Sequence, residues 1–196
     1  MSELTEIKDI YFIIHPAFSV AENRKDRRRT RTEVKDFFLE GIFPILQTAK
    51  KSGALVVIVP SPTLYLREWI GKQKERDGKN PNGLSAKRIR RAEGIEKSLI
   101  RRVVRAIGEN KTIVLPQVNN ETEVAAVLEK ALSLKKLTLT RSVTIHGYGS
   151  YRKECVRDCI QEVHRAMKLR GRPRLSGKGT LSEKKMPKKR QNIRRI

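Results

Sequence analysis

The amino-acid sequence predicts an α/β fold in three layers: an open parallel sheet of at least four strands with helices on both faces. Two observations predict it. Four short runs rich in β-branched residues are almost continuously apolar rather than alternating, which is how strands covered on both faces read. Each run is followed by a stretch of helical apolar periodicity, or by a loop leading into one, and such alternation builds right-handed βαβ units.

The first run, "DIYFIIH", ends at His15. A charged loop follows, and then "TRTEVKDFFLEGIFPILQTAKKSG", in which Val34, Phe37, Phe38, Ile42, Ile45 and Ala49 form one apolar stripe. Thr30 with Glu33 reads as a capping box, Pro44 predicts a kink and Gly53 a stop. The second run, "ALVVIVP", ends at Pro60 and leads to a helical stretch over Pro62–Gln73 and a solvated loop, "KERDGKNPNG". A longer helix is expected from Ser85 to Ile107, closed by Gly108, with Ile89, Ala92, Ile95, Leu99, Val103 and Ile107 toward the sheet. The third run, "KTIVLPQ", ends at Gln117 and precedes a helix over Glu121–Leu134. "LTLTRS" alternates, and either starts the fourth strand early or supplies an edge neighbour. The fourth run, "SVTIHG", ends at Gly147, and a last helix is expected over Tyr151–Leu169. These elements make a Rossmann-like domain of residues 1–170. With strand order 3-2-1-4, the first and fourth strands are neighbours.

The character changes at Gly171. Residues 171–196, "GRPRLSGKGTLSEKKMPKKRQNIRRI", hold few apolar side chains and are expected to form a disordered basic tail until they meet a polyanion. From Arg165 to Ile196 there are thirteen Lys and Arg against one acid, Glu183; the preceding residues hold 31 against 20. The tail therefore carries about half of the net charge of +23. A hydrophobic content of 38% still supports a real core. No apolar stretch approaches the roughly 20 residues that span a bilayer, so no membrane partner is expected. The polar, acidic start "MSELTEIKD" does not read as a signal peptide. Cys155 and Cys159, four apart on a helix, do not suit a disulfide, and a reducing, cytoplasmic setting is expected. No metal and no cofactor is expected, and no acidic cluster falls at the strand ends to support a metal-dependent nuclease.

Unmatched positive charge asks for an anionic partner. Three clusters carry it: Arg24, Lys25, Arg27, Arg28, Arg29 and Arg31 after the first strand; Lys87, Arg90, Arg91, Arg101 and Arg105 on the long helix; and Lys184, Lys185, Lys188, Lys189, Arg190, Arg194 and Arg195 in the tail. Arginines one turn apart can meet successive phosphates with charge-assisted hydrogen bonds, although a charged helix face can also be merely solvated. Aromatic residues are only 5% of the chain, so backbone or shape recognition is expected rather than a base-reading platform, despite Tyr65, Trp69, Tyr148 and Tyr151. The expected partner is nucleic acid, RNA favoured over DNA because no groove-reading helix motif is visible, with ribonucleoprotein proteins as further partners.

Ligands of open parallel sheets bind beyond the carboxyl ends of the strands. Those ends offer His15, Ser61 and Thr63, Gln117 and Asn119, and His146. In "HGYGSYRKECVRDC", Gly147, Gly149, Ser150, Arg152 and Lys153 suit an anion-binding turn at a helix start. A purely structural strand-to-helix connection explains the glycines equally well. The turn is neither GxxxxGK[ST] nor GxGxxG.

"IHGYGSYRKECVRDCIQEVHRA" resembles the nucleophile segment of isochorismatase-like cysteine hydrolases: a strand, a glycine, a short turn, then "CV" opening a helix, here Cys155 and Val156. "YFIIHPAF", "PILQTAKKSGALVVIVP" and "KTIVLP" are compatible with that fold, and the resemblance covers roughly residues 9–169. It implies a nucleophilic Cys155, whose pKa a helix start could lower, with His15 and His146 as further catalytic candidates of an enzyme. The family ends its first strand in a catalytic aspartate; this chain has His15 there. The family's usual turn threonine is also absent, with Tyr151 and Arg152 in that region.

Overall fold

The computed structural model describes residues 4–16, 41–61, 86–116, 122–149, 155–170 and 174–180, with the main chain alone for 86–92, 122 and 174–180. The elements are β1 (Thr5–Ile14), α1 (Phe43–Ser52), β2 (Leu55–Val59), α2 (Ala86–Ile107), a 3-10 turn (Glu109–Lys111), β3 (Thr112–Val114), α3 (Thr122–Leu134), β4 (Leu137–Gly149), α4 (Arg157–Ala166) and β5 (Arg174–Thr180). All sheet pairings are parallel, in the order β3-β2-β1-β4-β5. The predicted three-layer α/β architecture is present, with β1 and β4 side by side.

β1 shows how its sequence encodes its place. Its first half alternates in exposure and pairs only with β4, through Thr5↔Leu137 and Ile7↔Leu139. From Ile10 onward it is paired on both sides, with Leu55–Val59 of β2 and with Ile145–Gly149 of β4, and every residue is buried. Alternation gives way to a continuous apolar run where the strand gains its second neighbour. Parity then divides the core. Ile10, Phe12 and Ile14 join Val57, Val59, Leu128, Val156, Ile160 and Val163, under α3 and α4. Tyr11 and Ile13 join Ile45, Leu46, Val56, Ile58, Leu99 and Val103, under α1 and α2. Right-handed crossovers require this split. The connections β1→β2→β3 step one way along the sheet and leave α1 and α2 on one face; β3→β4→β5 step the other way and leave α3 and α4 on the opposite face.

Several boundaries differ from those expected. Pro44 lies in the first turn of α1, where its missing N–H removes no helical bond, directly after a π-type turn at Gly41–Ile42. α4 begins after another π-type turn, Cys155–Val156, and ends at Ala166, three residues before the expected end, with Met167 at its cap. Lys168 has φ +50° there, and Leu169 folds back against the core with its N–H on His164 O at 3.1 Å. The expected helix over 62–73 and the basic loop at 24–31 lie outside the described residues.

The fourth strand starts early, as "LTLTRS" allowed, and runs two residues past Gly147. Between Leu139 and Thr144 it bulges against β1, which spans only Ile7 to Asp9, and Arg141 and Ser142 are exposed there. The expectation of a disordered tail from Gly171 is corrected for residues 174–180. They form β5, with His146↔Arg174, Gly147↔Leu175 and Gly149↔Thr180. The physical reason is that the free edge of β4 offers main-chain N–H and C=O groups, so "RLSGKGT" can pair without apolar side chains of its own. Residues 181–196 lie outside the described residues.

Gly147 and Gly149 are demanded by packing. A Cβ on Gly147 would overlap the tip of Ile160 and approach Val156 Cγ1 to 2.9 Å. A Cβ on Gly149 would overlap the main-chain carbonyl oxygen of Ile14 and approach Val156 Cγ2 to 2.7 Å. A side-chain tip can rotate aside; a carbonyl oxygen in a paired strand cannot. Gly149→Ala is therefore expected to destabilise the domain by roughly 3 kcal/mol, against about 1–2 kcal/mol for Gly147→Ala. Ile160→Val, which shortens the offending side chain, should lessen the cost of Gly147→Ala and leave that of Gly149→Ala unchanged. Urea denaturation midpoints of these variants, compared at a common m-value, check the order.

Candidate functional site

The switch in direction of the crossovers falls between β1 and β4, where Ile14 lies opposite Gly149. α1 follows β1 on one face and α4 follows β4 on the other, so their connections diverge at the carboxyl edge of the sheet. His15 is the first residue beyond β1. Its N–H donates to Val59 O at 2.9 Å, its φ is +47° and it is 5% exposed. Burial pushes its pKa down to about 4. At neutral pH the imidazole is uncharged, so His15 is not a cation waiting for phosphate.

The neighbouring strand ends in a second polar group. The N–H and hydroxyl of Ser61 both donate to Glu96 Oε1, at 2.9 and 2.7 Å, and the two residues are 4% and 5% exposed. Charge-assisted bonds of this kind tie α2 to the chain where it leaves β2. Sequence reasoning named Ser61 but missed Glu96. A signal was there: Glu96 stands three residues before Leu99 and seven before Val103, an acid on the face that packs on the sheet. Thr63, Gln117 and Asn119, the other residues expected at strand ends, lie outside the described residues.

His146 is not at a strand end. β4 continues to Gly149, and His146 lies within it, opposite Tyr11. The rings stack with centroids 4.3 Å apart and planes 8° apart, and Tyr148 lies 6.0 Å further along from Tyr11 in the same near-parallel orientation. His146 Nε2 is 3.7 Å from Asp9 Oδ1. Burial first, and then the Asp9 carboxylate, raise the Tyr11 phenol above its ordinary pKa. The structure thus places His15 just past the end of β1 and His146 inside the sheet, among aromatics on the α1–α2 face. Tyr148 is buried in that column and is not an exposed stacking platform.

Cys155 sits in the π-type turn before α4, half-buried against the core, while Cys159 is fully buried; neither is in a disulfide. Of the expected anion-binding turn, Gly147 and Gly149 belong to β4, where α4 packing accounts for them, and Ser150, Arg152 and Lys153 lie outside the described residues. Among the described residues no group of three or more His, Cys, Asp or Glu gathers as a metal site.

The long-helix cluster lies along α2. Lys87, Arg90 and Arg91 lie in the first turns of α2. Arg101 and Arg105 are exposed, opposite the buried Leu99 and Val103. Lys97, which sequence reasoning passed over, is exposed four residues before Arg101, and Arg101 Nε donates to Lys97 O at 3.4 Å. Lys97, Arg101 and Arg105 form one line with a rise of about 6 Å per step. The clusters at 24–31 and 184–195 lie outside the described residues. No helix among the described residues is long and apolar enough to cross a membrane. Comparison with known protein families, with curated proteins and with solved structures found no match for this chain.

The buried imidazole makes stability depend on pH. His15 takes up its proton near pH 4 when folded and near 6.5 when unfolded, so its contribution is complete above pH 6.5 and is lost as the pH falls toward 4. The loss amounts to about 3 kcal/mol. His15→Asn, which tolerates the positive φ and does not titrate, should flatten the decline in urea-unfolding free energy between pH 6.5 and 4. Equal declines in parent and variant would show that His15 is not responsible.

Proposed function

We propose that this chain binds nucleic acid, RNA ahead of DNA, through its phosphate backbone, as a ribonucleoprotein component. The observation that carries the reading is the exposed line Lys97, Arg101 and Arg105 on α2, in a chain of net charge +23. Among the described residues Arg101 and Arg105 pair with no carboxylate, so their guanidinium groups remain available to an external anion. The burial of Tyr148 supports contact with phosphates over stacking on bases. The flanking clusters at 24–31 and 184–195 add charge to the same task, and a cytoplasmic setting suits it.

Arg101→Glu combined with Arg105→Glu should weaken binding of a mixed-sequence RNA by about tenfold, or 1.4 kcal/mol, at low salt, with an unchanged melting temperature. Fluorescence anisotropy checks the affinity and circular dichroism the fold. Undiminished binding by the folded variant would leave the stripe as a solvated face.

A second reading makes the carboxyl edge an enzyme site resembling the cysteine hydrolases, with Cys155 as nucleophile. What favours it is position: Cys155 is partly accessible just beyond β4, and β4 neighbours the strand that ends at His15. On this reading an amide-type electrophile becomes covalently attached to Cys155, and Cys155→Ser abolishes turnover. On the nucleic-acid reading Cys155→Ser leaves RNA binding intact and no adduct accumulates, as intact-protein mass spectrometry resolves.

A further inference from the structure

The amino edge of the sheet, opposite the strand ends, also gathers cations. α1 ends in Lys50 and Lys51, and α2 has Arg105 in its last turn. Lys111 lies just before β3, and Lys135 and Lys136 just before β4. All six are exposed.

Hydrogen bonds join these chain ends into one rim. Lys111 Nζ donates to Gly53 O at 2.7 Å, linking the end of α1 to the start of β3. Lys135 Nζ donates to Glu109 O at 2.8 Å, linking the end of α3 to the turn that follows α2. The N–H of Thr5 donates to Lys136 O at 3.0 Å, adding the start of β1. The rim crosses the amino ends of β3, β2, β1 and β4, three strand intervals or about 14 Å. Glu6 and Glu109 are the exposed acids on these same segments. Among the described residues none of the six cations pairs with a carboxylate.

Cations at helix ends have a structural explanation, since they complement the negative ends of the helix dipoles and the last carbonyls. Lys111 and Lys135 do bond main-chain carbonyls. Lys50, Lys51 and Arg105 also complement the dipole ends of α1 and α2, but their side chains, like that of Lys136, make no hydrogen bond among the described residues and stay open to an external anion. Their charge lies on a contiguous, solvent-facing edge. A span of about 14 Å along one strand of a duplex presents roughly four phosphate charges, so a nucleic-acid backbone laid across this edge can meet Lys50, Lys51, Arg105 and Lys136.

We propose that this amino-edge rim is a phosphodiester-binding surface that shares Arg105 with the α2 stripe and continues it across the sheet edge, away from the strand-end turn, and that a nucleic-acid backbone crosses the ends of α1, α2 and α3 there. The inference rests on the nucleic-acid reading given above and names a surface that it does not require.

The test neutralises Lys50, Lys51 and Lys136 together as Lys50→Gln, Lys51→Gln and Lys136→Gln in the full chain, leaving the carbonyl-bonded Lys111 and Lys135 in place. A short mixed-sequence RNA duplex is titrated by anisotropy across a range of salt concentrations. Each lost phosphate contact should remove about 0.9 from the slope of log K against log salt, so the triple variant should bind more weakly with a slope shallower by roughly 2 to 3. In the unmodified protein, bound RNA should protect Lys50, Lys51 and Lys136 from acetylation, a readout that does not depend on how the variant folds. Parent-like affinity and slope in the variant, with these lysines equally acetylated in free and bound protein, would overturn the rim while leaving RNA binding standing. A parent chain that binds no RNA would overturn both. Capture of the parent by anionic lipid vesicles in preference to RNA would replace the nucleic acid by a membrane surface.

Discussion

The structure depends on the burial of five residues, Ile10 to Ile14, in the middle of the sheet. They are the stretch of β1 with a strand on each side, and their side chains alternate into both cores. Removing any one of them from water contributes on the order of 2 kcal/mol, but the geometric consequence is larger. A strand buried on both faces requires helices above and below it, and chain connectivity with right-handed crossovers leaves one way to supply them. The diverging connections at Ile14 and Gly149 follow from that.

Much of this was legible. The continuous run "IYFII" signals a strand covered on both faces, whereas the earlier start of β1 at Thr5, within a segment that read only as polar and acidic, was not legible. The stripe of α2 through Leu99 and Val103 was plain, and its outward arginines followed from the same periodicity. β5 was not legible, because its pairing with β4 uses main-chain groups common to every sequence. His146 was misplaced for a related reason. Gly147 read as the end of a strand, whereas glycine inside a strand also marks a close approach by another element, here Ile160 and Val156 at the start of α4. Glu96 was hidden by a rule of thumb that assigns acids to the solvent face. Its partner, Ser61, lies 35 residues away in sequence, a contact no local pattern contains.

The two edges of the sheet differ in chemistry, and the fold explains the difference. In a parallel α/β domain all strands end on one side and all helices end on the other. The strand ends here are occupied by a neutral buried imidazole and an internally bonded carboxylate. The helix ends collect lysine and arginine, favoured by the negative ends of the dipoles. Among the described residues, lysine and arginine thus gather at the helix ends, with the exposed stripe of α2 running down to that edge.

The adjacency of β1 and β4 also sets how the chain comes together in time. The bond from Thr140 Oγ1 to Ile7 O closes a loop of 133 residues. Such pairings must overcome the entropy of loop closure before they return any contact energy. On a ribosome adding about 5 to 20 residues per second, β1 emerges roughly 7 to 27 seconds before its second neighbour exists. Once α1 and β2 have followed, they can shelter one edge of "IYFII", while the other edge stays open until β4 arrives. Until then that edge of β1 presents unpaired main-chain N–H and C=O groups, the kind of edge at which strands of other chains can pair, and the arrival of β4 covers it.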